Sequence, residues 1–306
     1  MKITIIGAGN VGGLAAMRIA HEKLGDVCLI DVAPGLARAK AFDMDDCRQV
    51  LDNDYSLTGT EDISAVFGSH VIVVTAGLAR KPGMTREDLL QKNAAIVKTI
   101  CAEIKKGAPG AVVIMVTNPL DVMTHYCLTQ LAFPRERVFG MGVTLDGSRF
   151  ANLIAAQLNV PASSIAPIVL GSHGEAMLPL PRLTLVGTDP LTEVIKDPAV
   201  IENLIKRTVE RGKEIVSLYG SGSAYFAPSA AIVQLVRAVA KDEKARLGVS
   251  ALLRGEYGLS DTCVGVPCVI GRNGIEKIVE LELLPQEQKA LRVSAEAIRS
   301  LQAILA

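Results

Sequence analysis

Residues 2–13, KITIIGAGNVGG, restrict the fold of this chain more than any other stretch. Positions 3–6 form a short, largely β-branched apolar run, the pattern of a strand buried on both faces. Gly7, Gly9 and Gly12 follow in G-x-G-x-x-G spacing, and 11–21 reads as a helix. The first glycine permits a tight turn, the second lets the backbone approach a pyrophosphate, and the third lets the helix pack closely on the strand. The unpaired N–H groups and positive dipole end of such a helix start suit a diphosphate. A second strand over 27–30 ends in Asp31, 19 positions after Gly12. That is close to the roughly 20 residues at which an acid meets the adenosine ribose hydroxyls. Strand, glycines, helix, strand and acid, in that order, predict a dinucleotide site.

The alternation continues. Helices are expected over 34–51 and 86–106, a brief one over 61–67, and another reaching 131; strands are expected over 55–60, 70–75, 111–116 and 138–140. The segment 78–85, LARKPGMT, has no hydrophobic period and contains Pro82-Gly83, so it reads as a loop. Such alternation implies right-handed crossovers and a parallel sheet, with ligands beyond the carboxyl ends of its strands. The glycine turn, Asp31, Ala76-Gly77 and Thr117-Asn118 all fall at such ends and should share one crevice.

The pattern changes near Thr144. A helix over 145–158 is followed by strands over 165–171 and 183–187 with no long crossover between them. A long helix over 198–218, a glycine and serine break at 220–223 and a helix over 227–241 come next. Antiparallel strands over 247–253, 263–270 and 275–279 precede a closing helix over 285–304. The expected fold is α/β: a Rossmann doubly wound parallel sheet over 1–143, then a mixed α+β substrate and oligomerisation domain over 144–306 with antiparallel strands.

Among the 306 residues, Lys plus Arg equals Asp plus Glu at 32 each, so no net field favours nucleic acid or an anionic membrane. No apolar run reaches the roughly 18 residues that span a bilayer. The first residues already form a strand, which leaves no room for a signal peptide and points to a cytoplasmic protein. The six cysteines contain no C-x-x-C pair, and Cys263 and Cys268 read as small core residues rather than as a disulfide or metal site.

Of the four histidines, His21, His70 and His125 fall within regular elements, where structural roles suffice. His173 stands in GSHGE, at a strand end between glycines that admit another molecule closely. In a chain with a dinucleotide site it is the candidate for proton transfer. A working histidine needs a carboxylate on its other nitrogen, and Asp146 in LDGSRF is the candidate, although a helix N-cap is the ordinary role for such an aspartate. Arg149 follows three positions later on the same helix face, where a surface ion pair is its ordinary role.

The ordered set GAGNVG, LID, ARKPGMTRED, TNPLD, LDGSRF and GSHGEAMLPLPR resembles the lactate/malate dehydrogenase family across essentially the whole chain. Within that family it is most similar to the bacterial malate dehydrogenases of lactate-dehydrogenase-like type. The resemblance implies NAD as cofactor, held by Gly7, Ala8, Gly9, Asn10, Val11, Gly12, Asp31, Asn93, Val116, Thr117 and Asn118. It implies that His173 accepts the proton with Asp146 as partner, and that Arg149 grips the C1 carboxylate. Arg86 would polarise the reacting carbonyl from a mobile 78–86 loop, and Asn118 would lie beside substrate and nicotinamide. Arg80 stands where related lactate dehydrogenases usually carry glutamine, which favours a substrate with a second carboxylate; Ala224 would leave room for it. Glu175 and Gly147 stand where aspartate and serine are usual. The implied activity is reversible oxidation of (S)-malate to oxaloacetate in the tricarboxylic acid cycle, by a homotetramer in preference to a dimer, with no metal.

The alternatives are a dehydrogenase of lactate or another 2-hydroxy acid, and a silent NAD-binding sensor. The first lacks a use for Arg80, and the second needs no proton acceptor.

Overall fold

Strand and helix alternate through the first half of the chain. In the computed structural model, which describes residues 1–78 and 85–305 and gives the backbone alone at Arg86, β1 (Lys2–Ile6) leads through α1 (Asn10–His21) to β2 (Asp26–Ile30). Next come α2 (Leu36–Val50), β3 (Leu57–Thr60), β4 (Val71–Val74), α3 (Arg86–Gly107), β5 (Val112–Met115), α4 (Leu120–Leu131) and β6 (Val138–Gly140). The strands lie in the order β3-β2-β1-β4-β5-β6, and every neighbouring pair is parallel. This is the Rossmann doubly wound order, in which crossovers put helices on both faces. Burial on both faces explains why β4 and β5 are unbroken apolar runs, VIVV and VVIM, rather than alternating ones. The strand order reverses between β1 and β4, which leaves a crevice beyond their carboxyl ends.

Local signals set the helix limits. Thr85 Oγ1 accepts from the Asp88 N–H at 3.0 Å while the Asp88 carboxylate accepts from the Thr85 N–H at 3.1 Å, and this reciprocal cap starts α3. Lys105 and Lys106 in its last turn complement the helix dipole.

After β6 come α5 (Val143–Leu158), β7 (Ile165–Ala166), β8 (Val169–Gly171), β9 (Met177–Pro179), β10 (Leu185–Val186), β11 (Asp189–Pro190), α6 (Leu191–Val194), α7 (Pro198–Tyr219) and α8 (Phe226–Ala240). The chain finishes with β12 (Ala245–Arg254), β13 (Ser260–Gly271), β14 (Gly274–Ile278) and α9 (Pro285–Gln302). The antiparallel β12–β13–β14 set and the closing helix match the sequence expectation. Ser250 of β12 pairs with Gly140 of β6, and Gly265 of β13 with Gly171 of β8, so one sheet continues from the parallel strands into the antiparallel ones.

The single strand expected over 165–171 is two. Pro167 interrupts it, because proline offers no N–H to a ladder. The two pieces then diverge: β7 pairs with β10 in a separate three-stranded sheet, and β8 pairs with β13 and β9. The strand expected over 183–187 is the shorter β10, since Pro181–Leu183 is a 3-10 turn. β9, β11 and α6 were not foreseen, being too short for periodicity to reveal.

Cys263 and Cys268 are fully buried core residues, as expected, and all six cysteines are free. Among the described residues no helix is long and apolar enough to cross a membrane.

Candidate active site

The glycine turn after β1 is shaped by exclusion. Gly7 has φ +110°, and a Cβ there would lie 2.6 Å from Thr75 Oγ1. At Gly12 a Cβ would lie 1.9 Å from the Gly7 carbonyl oxygen, so neither position admits a side chain. Gly9 is the opposite case: no atom lies within 4 Å of its Cβ position, and the backbone is open there. Gly9 is also the N-cap of α1, and no side chain caps that helix. The N–H groups of its first turn, at Asn10 and Val11, therefore face a ligand position without a side-chain competitor.

Asp31 leaves β2 beside this turn. Its Oδ2 accepts from the Ala8 N–H at 2.6 Å and its Oδ1 from the Ala33 N–H at 2.9 Å. A carboxylate has about four acceptor sites, so two donors leave capacity for ribose hydroxyls. The Lys40 ammonium donates to the Gly9 carbonyl at 3.1 Å and sets a positive charge at the lip of the turn. Sequence reading missed Lys40, because a lysine on the amphipathic helix α2 carries no signal of its neighbours. An uncapped helix start, an open glycine, an acid and a nearby ammonium together fit a dinucleotide.

Hydroxyls and one amide hold the neighbouring strand ends. Thr75 Oγ1 donates to the Gly7 carbonyl at 2.9 Å, and Thr117 Oγ1 donates to the Ala76 carbonyl at 2.7 Å. The Val116 N–H donates to the Val74 carbonyl at 2.9 Å. Asn93, fully buried on α3, accepts from the Leu78 N–H at 2.8 Å and donates to the Asn118 carbonyl at 2.7 Å. It braces the ends of β4 and β5 together, a supporting role beside that of candidate cofactor contact. Asn118 itself is exposed.

The second constellation begins on α5. Asp146 lies in the first turn of this helix and is completely buried, yet it does not cap it; Gly142 occupies the N-cap. Its Oδ2 lies 2.7 Å from His173 Nδ1, and its Oδ1 accepts from an Arg149 guanidinium N–H at 3.3 Å. A carboxylate only accepts, so Nδ1 carries the hydrogen of the neutral imidazole and Nε2 is left as the basic atom. His173 follows β8, with its side chain 16% exposed. Gly171 makes that turn at φ +87°, where a Cβ would come 2.8 Å from Ser294 Oγ. Ser294, on α9, accepts from the Ser172 N–H at 2.7 Å and donates to the Ala176 carbonyl at 2.7 Å, stapling the loop that carries His173.

Asp121 completes the setting. It opens α4 three residues after Asn118 and is almost fully buried. Its Oδ2 accepts from the His173 backbone N–H at 2.8 Å and its Oδ1 from Ser250 Oγ at 2.6 Å. Through it the β5 end of the dinucleotide crevice is tied to the main chain of His173. Asp121, Ser250 and Ser294 were not singled out from the sequence. The one available signal was an acid inside an otherwise apolar helix start, LDVM.

Burial pulls the His173 imidazole toward the neutral form, but the Asp146 charge, the Asp146 hydrogen bond and the Asp121 charge outweigh it and hold its pKa above the ordinary value. Burial lowers the Arg149 pKa, opposed by Asp146, and an arginine still remains protonated. Arg149 is 12% exposed, and its Nε is buried without a partner. A guanidinium and an imidazole held on one carboxylate are suited to a planar anion next to a proton-transfer group.

The other histidines have structural surroundings, as expected. His70 Nδ1 accepts from the Lys2 N–H at 3.1 Å, His21 Nδ1 lies 3.1 Å from Asn53 Nδ2, and burial holds His125 below its ordinary pKa. Glu175 pairs with Lys213 of α7 at 2.7 Å, a reach suited to its length. A Cβ at Gly147 would meet Pro167 at an ordinary 3.4 Å, so the backbone there does not require glycine on account of a Cβ clash. Arg80 and residues 79–84 of the 78–86 loop lie outside the described residues, as does the Arg86 side chain. A cavity of about 420 Å³ between α5, residues 165–169 and β12 has Arg246 as its one charged lining residue among those described, and offers no acid–base pair.

Comparison with known proteins gives two adjoining matches: lactate/malate dehydrogenase, NAD binding domain, over residues 1–140, and lactate/malate dehydrogenase, alpha/beta C-terminal domain, over residues 143–303. A malate dehydrogenase of Desulforudis audaxviator is 47% identical over 298 residues, covering 97% of this chain and 96% of that protein. The crystal structure of Cryptosporidium parvum malate dehydrogenase superposes with a TM-score of 0.95 at 37% identity, covering 99% of this chain and 98% of that one. The lactate dehydrogenase of Cryptosporidium parvum, solved with lactic acid and β-nicotinamide adenine dinucleotide, superposes with a TM-score of 0.96 at 37% identity, covering 99% of this chain and 97% of that one.

Proposed function

The chain belongs to the lactate/malate dehydrogenase family and is an NAD-linked oxidoreductase, and from that premise we propose that it interconverts (S)-malate and oxaloacetate at the His173–Asp146–Arg149 network. The observation that carries the proposal is the buried Asp146 carboxylate, which bonds the imidazole at 2.7 Å and the guanidinium at 3.3 Å. One anion thus orients a proton acceptor and a carboxylate receptor toward the same space.

Bound NAD supplies the hydride acceptor. Loss of hydride from the alcohol carbon develops positive charge there unless the hydroxyl proton leaves too, and His173 Nε2 takes that proton. Asp146 stabilises the resulting imidazolium and keeps the ring in register. Arg149 receives the C1 carboxylate in two parallel hydrogen bonds from its planar guanidinium. In the reverse direction His173 returns the proton to the ketone, which Arg86 polarises. Arg80 meets the distal carboxylate, and closure of the 78–86 loop expels water. The residues proposed to hold NAD are Gly7 to Gly12, Asp31, Asn93, Val116, Thr117 and Asn118.

The proposal divides the chain near residue 143, with 1–143 for the dinucleotide and 144–306 for acid–base chemistry and assembly. In its support, pairing changes from parallel to antiparallel at β6, just before α5. A cytoplasmic place in the tricarboxylic acid cycle is part of the same reading, and six free cysteines accord with a reducing compartment. Assembly is proposed as a homotetramer in preference to a homodimer. Light scattering should give four times the chain mass, and a monomer at working concentration contradicts both states.

The test is NADH absorbance on adding oxaloacetate, pyruvate or neither; rapid loss with oxaloacetate alone is the expected result, and equal rates without substrate refute it. Two further outcomes follow from the residues. NAD should exceed NADP in kcat/KM, because a 2′-phosphate brings a charge of about −1.5 to −2 against Asp31. Asp31→Ser should narrow that gap, and equal efficiency of the native protein with both cofactors contradicts the role of Asp31. The imidazolium is the proton donor, and its pKa is raised. Oxaloacetate reduction should therefore persist above pH of about 6.5, the ordinary histidine value, and fall as pH rises through the raised one. Malate oxidation should gain over the same range, and a profile flat across it counts against His173.

A further inference from the structure

One buried acid beside His173, Asp121, has no part in the proton transfer itself. Asp121 is 3% exposed and touches no cation side chain among the described residues. Its two oxygens are taken by donors that belong to different parts of the fold, the His173 N–H after β8 and the Ser250 hydroxyl on β12. Burying a carboxylate with so little compensation is costly, so its retention calls for a function. The bond to His173 runs to the backbone and not to the ring, which leaves the ring free while fixing where it starts.

We propose that Asp121 is a positioning residue for His173: it fixes the main chain of that residue while Asp146 holds the ring, and it supplies a second negative charge that favours the imidazolium. The inference rests on the reading of His173 as proton acceptor. Among the described residues, charged groups facing the imidazole come from two elements, Asp146 and Arg149 on α5 and Asp121 on α4. β12 and α9 contribute only the neutral hydroxyls of Ser250 and Ser294, and β13 contributes the buried Cys263 thiol, which faces Asp121. Arg149 opposes protonation and Asp146 and Asp121 support it, so the balance shifts when either acid is neutralised. Burial pushes the Asp121 carboxyl up; its two hydrogen bonds and a charged His173 pull it back.

Asp121→Asn separates charge from shape. Its amide oxygen still accepts from the His173 N–H, and its NH₂ faces Ser250, whose hydroxyl turns from donor to acceptor. The imidazole is followed by NMR of histidine-labelled protein, with the His173 signal identified as the one missing in His173→Asn; the pH profile of oxaloacetate reduction is recorded alongside. In folded Asp121→Asn the proton affinity of His173 should fall by roughly three- to tenfold, half to one pKa unit, and the alkaline limb of the profile should move down equally. Lower turnover with an unmoved His173 titration overturns the proposal, since a merely structural residue behaves that way. Should Asp121→Asn not fold, Ser250→Ala decides. It removes a hydrogen bond that keeps Asp121 ionised, so His173 should shift in the same direction by less, and an unchanged titration overturns the proposal. The NMR titration needs no turnover. A native protein inactive on oxaloacetate but with the expected His173 shift contradicts the malate reading and leaves this inference standing.

Discussion

His173→Asn should lower turnover with oxaloacetate by roughly 10³- to 10⁴-fold, the upper part of the range for removing a general acid–base group. Asparagine is smaller than histidine and carries an N–H that can donate to Asp146, so the fold and the Ser294 staple should survive. What it lacks is an atom that takes and returns a proton near neutral pH. Dinucleotide binding should be unaffected, because the glycine turn and Asp31 make no hydrogen bond to His173. The chain has no tryptophan, so binding can be followed by NADH fluorescence without interference from the protein. A variant with near-native turnover removes His173 from the reaction; one that no longer binds NADH shows that the two constellations are not separable.

Arg80→Gln should change the choice of substrate. The His173–Asp146–Arg149 network is proposed to serve the 2-oxo-carboxylate that oxaloacetate and pyruvate have in common, and in that role it would not tell them apart. The difference lies beyond C3, where oxaloacetate has a carboxylate and pyruvate only a methyl hydrogen. A guanidinium against the carboxylate makes charge-assisted hydrogen bonds; against the methyl it is enclosed without a partner. An uncompensated buried charge costs roughly 3–5 kcal/mol, at least two powers of ten in kcat/KM. The native protein should therefore prefer oxaloacetate by about that factor. Arg80→Gln should lose most of the oxaloacetate activity and gain pyruvate activity, with NADH affinity nearly unchanged. An oxaloacetate-to-pyruvate ratio that stays where it was removes the main residue-level support for malate.

The sequence was most legible where one residue type is physically obligatory. Gly7 and Gly12 are fixed by atoms that leave no room for a Cβ, and the unbroken runs of β4 and β5 by burial on both faces. Asp146 and His173 were legible as chemistry, from the need of an imidazole for an orienting carboxylate. What the sequence hid depends on contacts between distant segments. Asp121 and His173 are 52 positions apart, and Asp121 and Ser250 129 apart, so no local spacing announces either bond. Pro167 stands in plain view in the sequence, yet an apolar run around it still looks like one strand; its missing N–H accompanies the divergence of β7 and β8 into different sheets. Lys40 escaped because a lysine on an amphipathic helix looks the same whether its ammonium meets water or the Gly9 carbonyl.

Hydride transfer assisted by His173 is tested most directly by following the transferred atom. Oxaloacetate is reduced with NADH dideuterated at the nicotinamide C4, and the malate formed is examined by NMR. The expected product is malate with one deuteron at C2, formed rapidly by the native protein and at a rate roughly 10³-fold lower or less by His173→Asn. Malate without deuterium at C2, or no malate from the native protein, contradicts it.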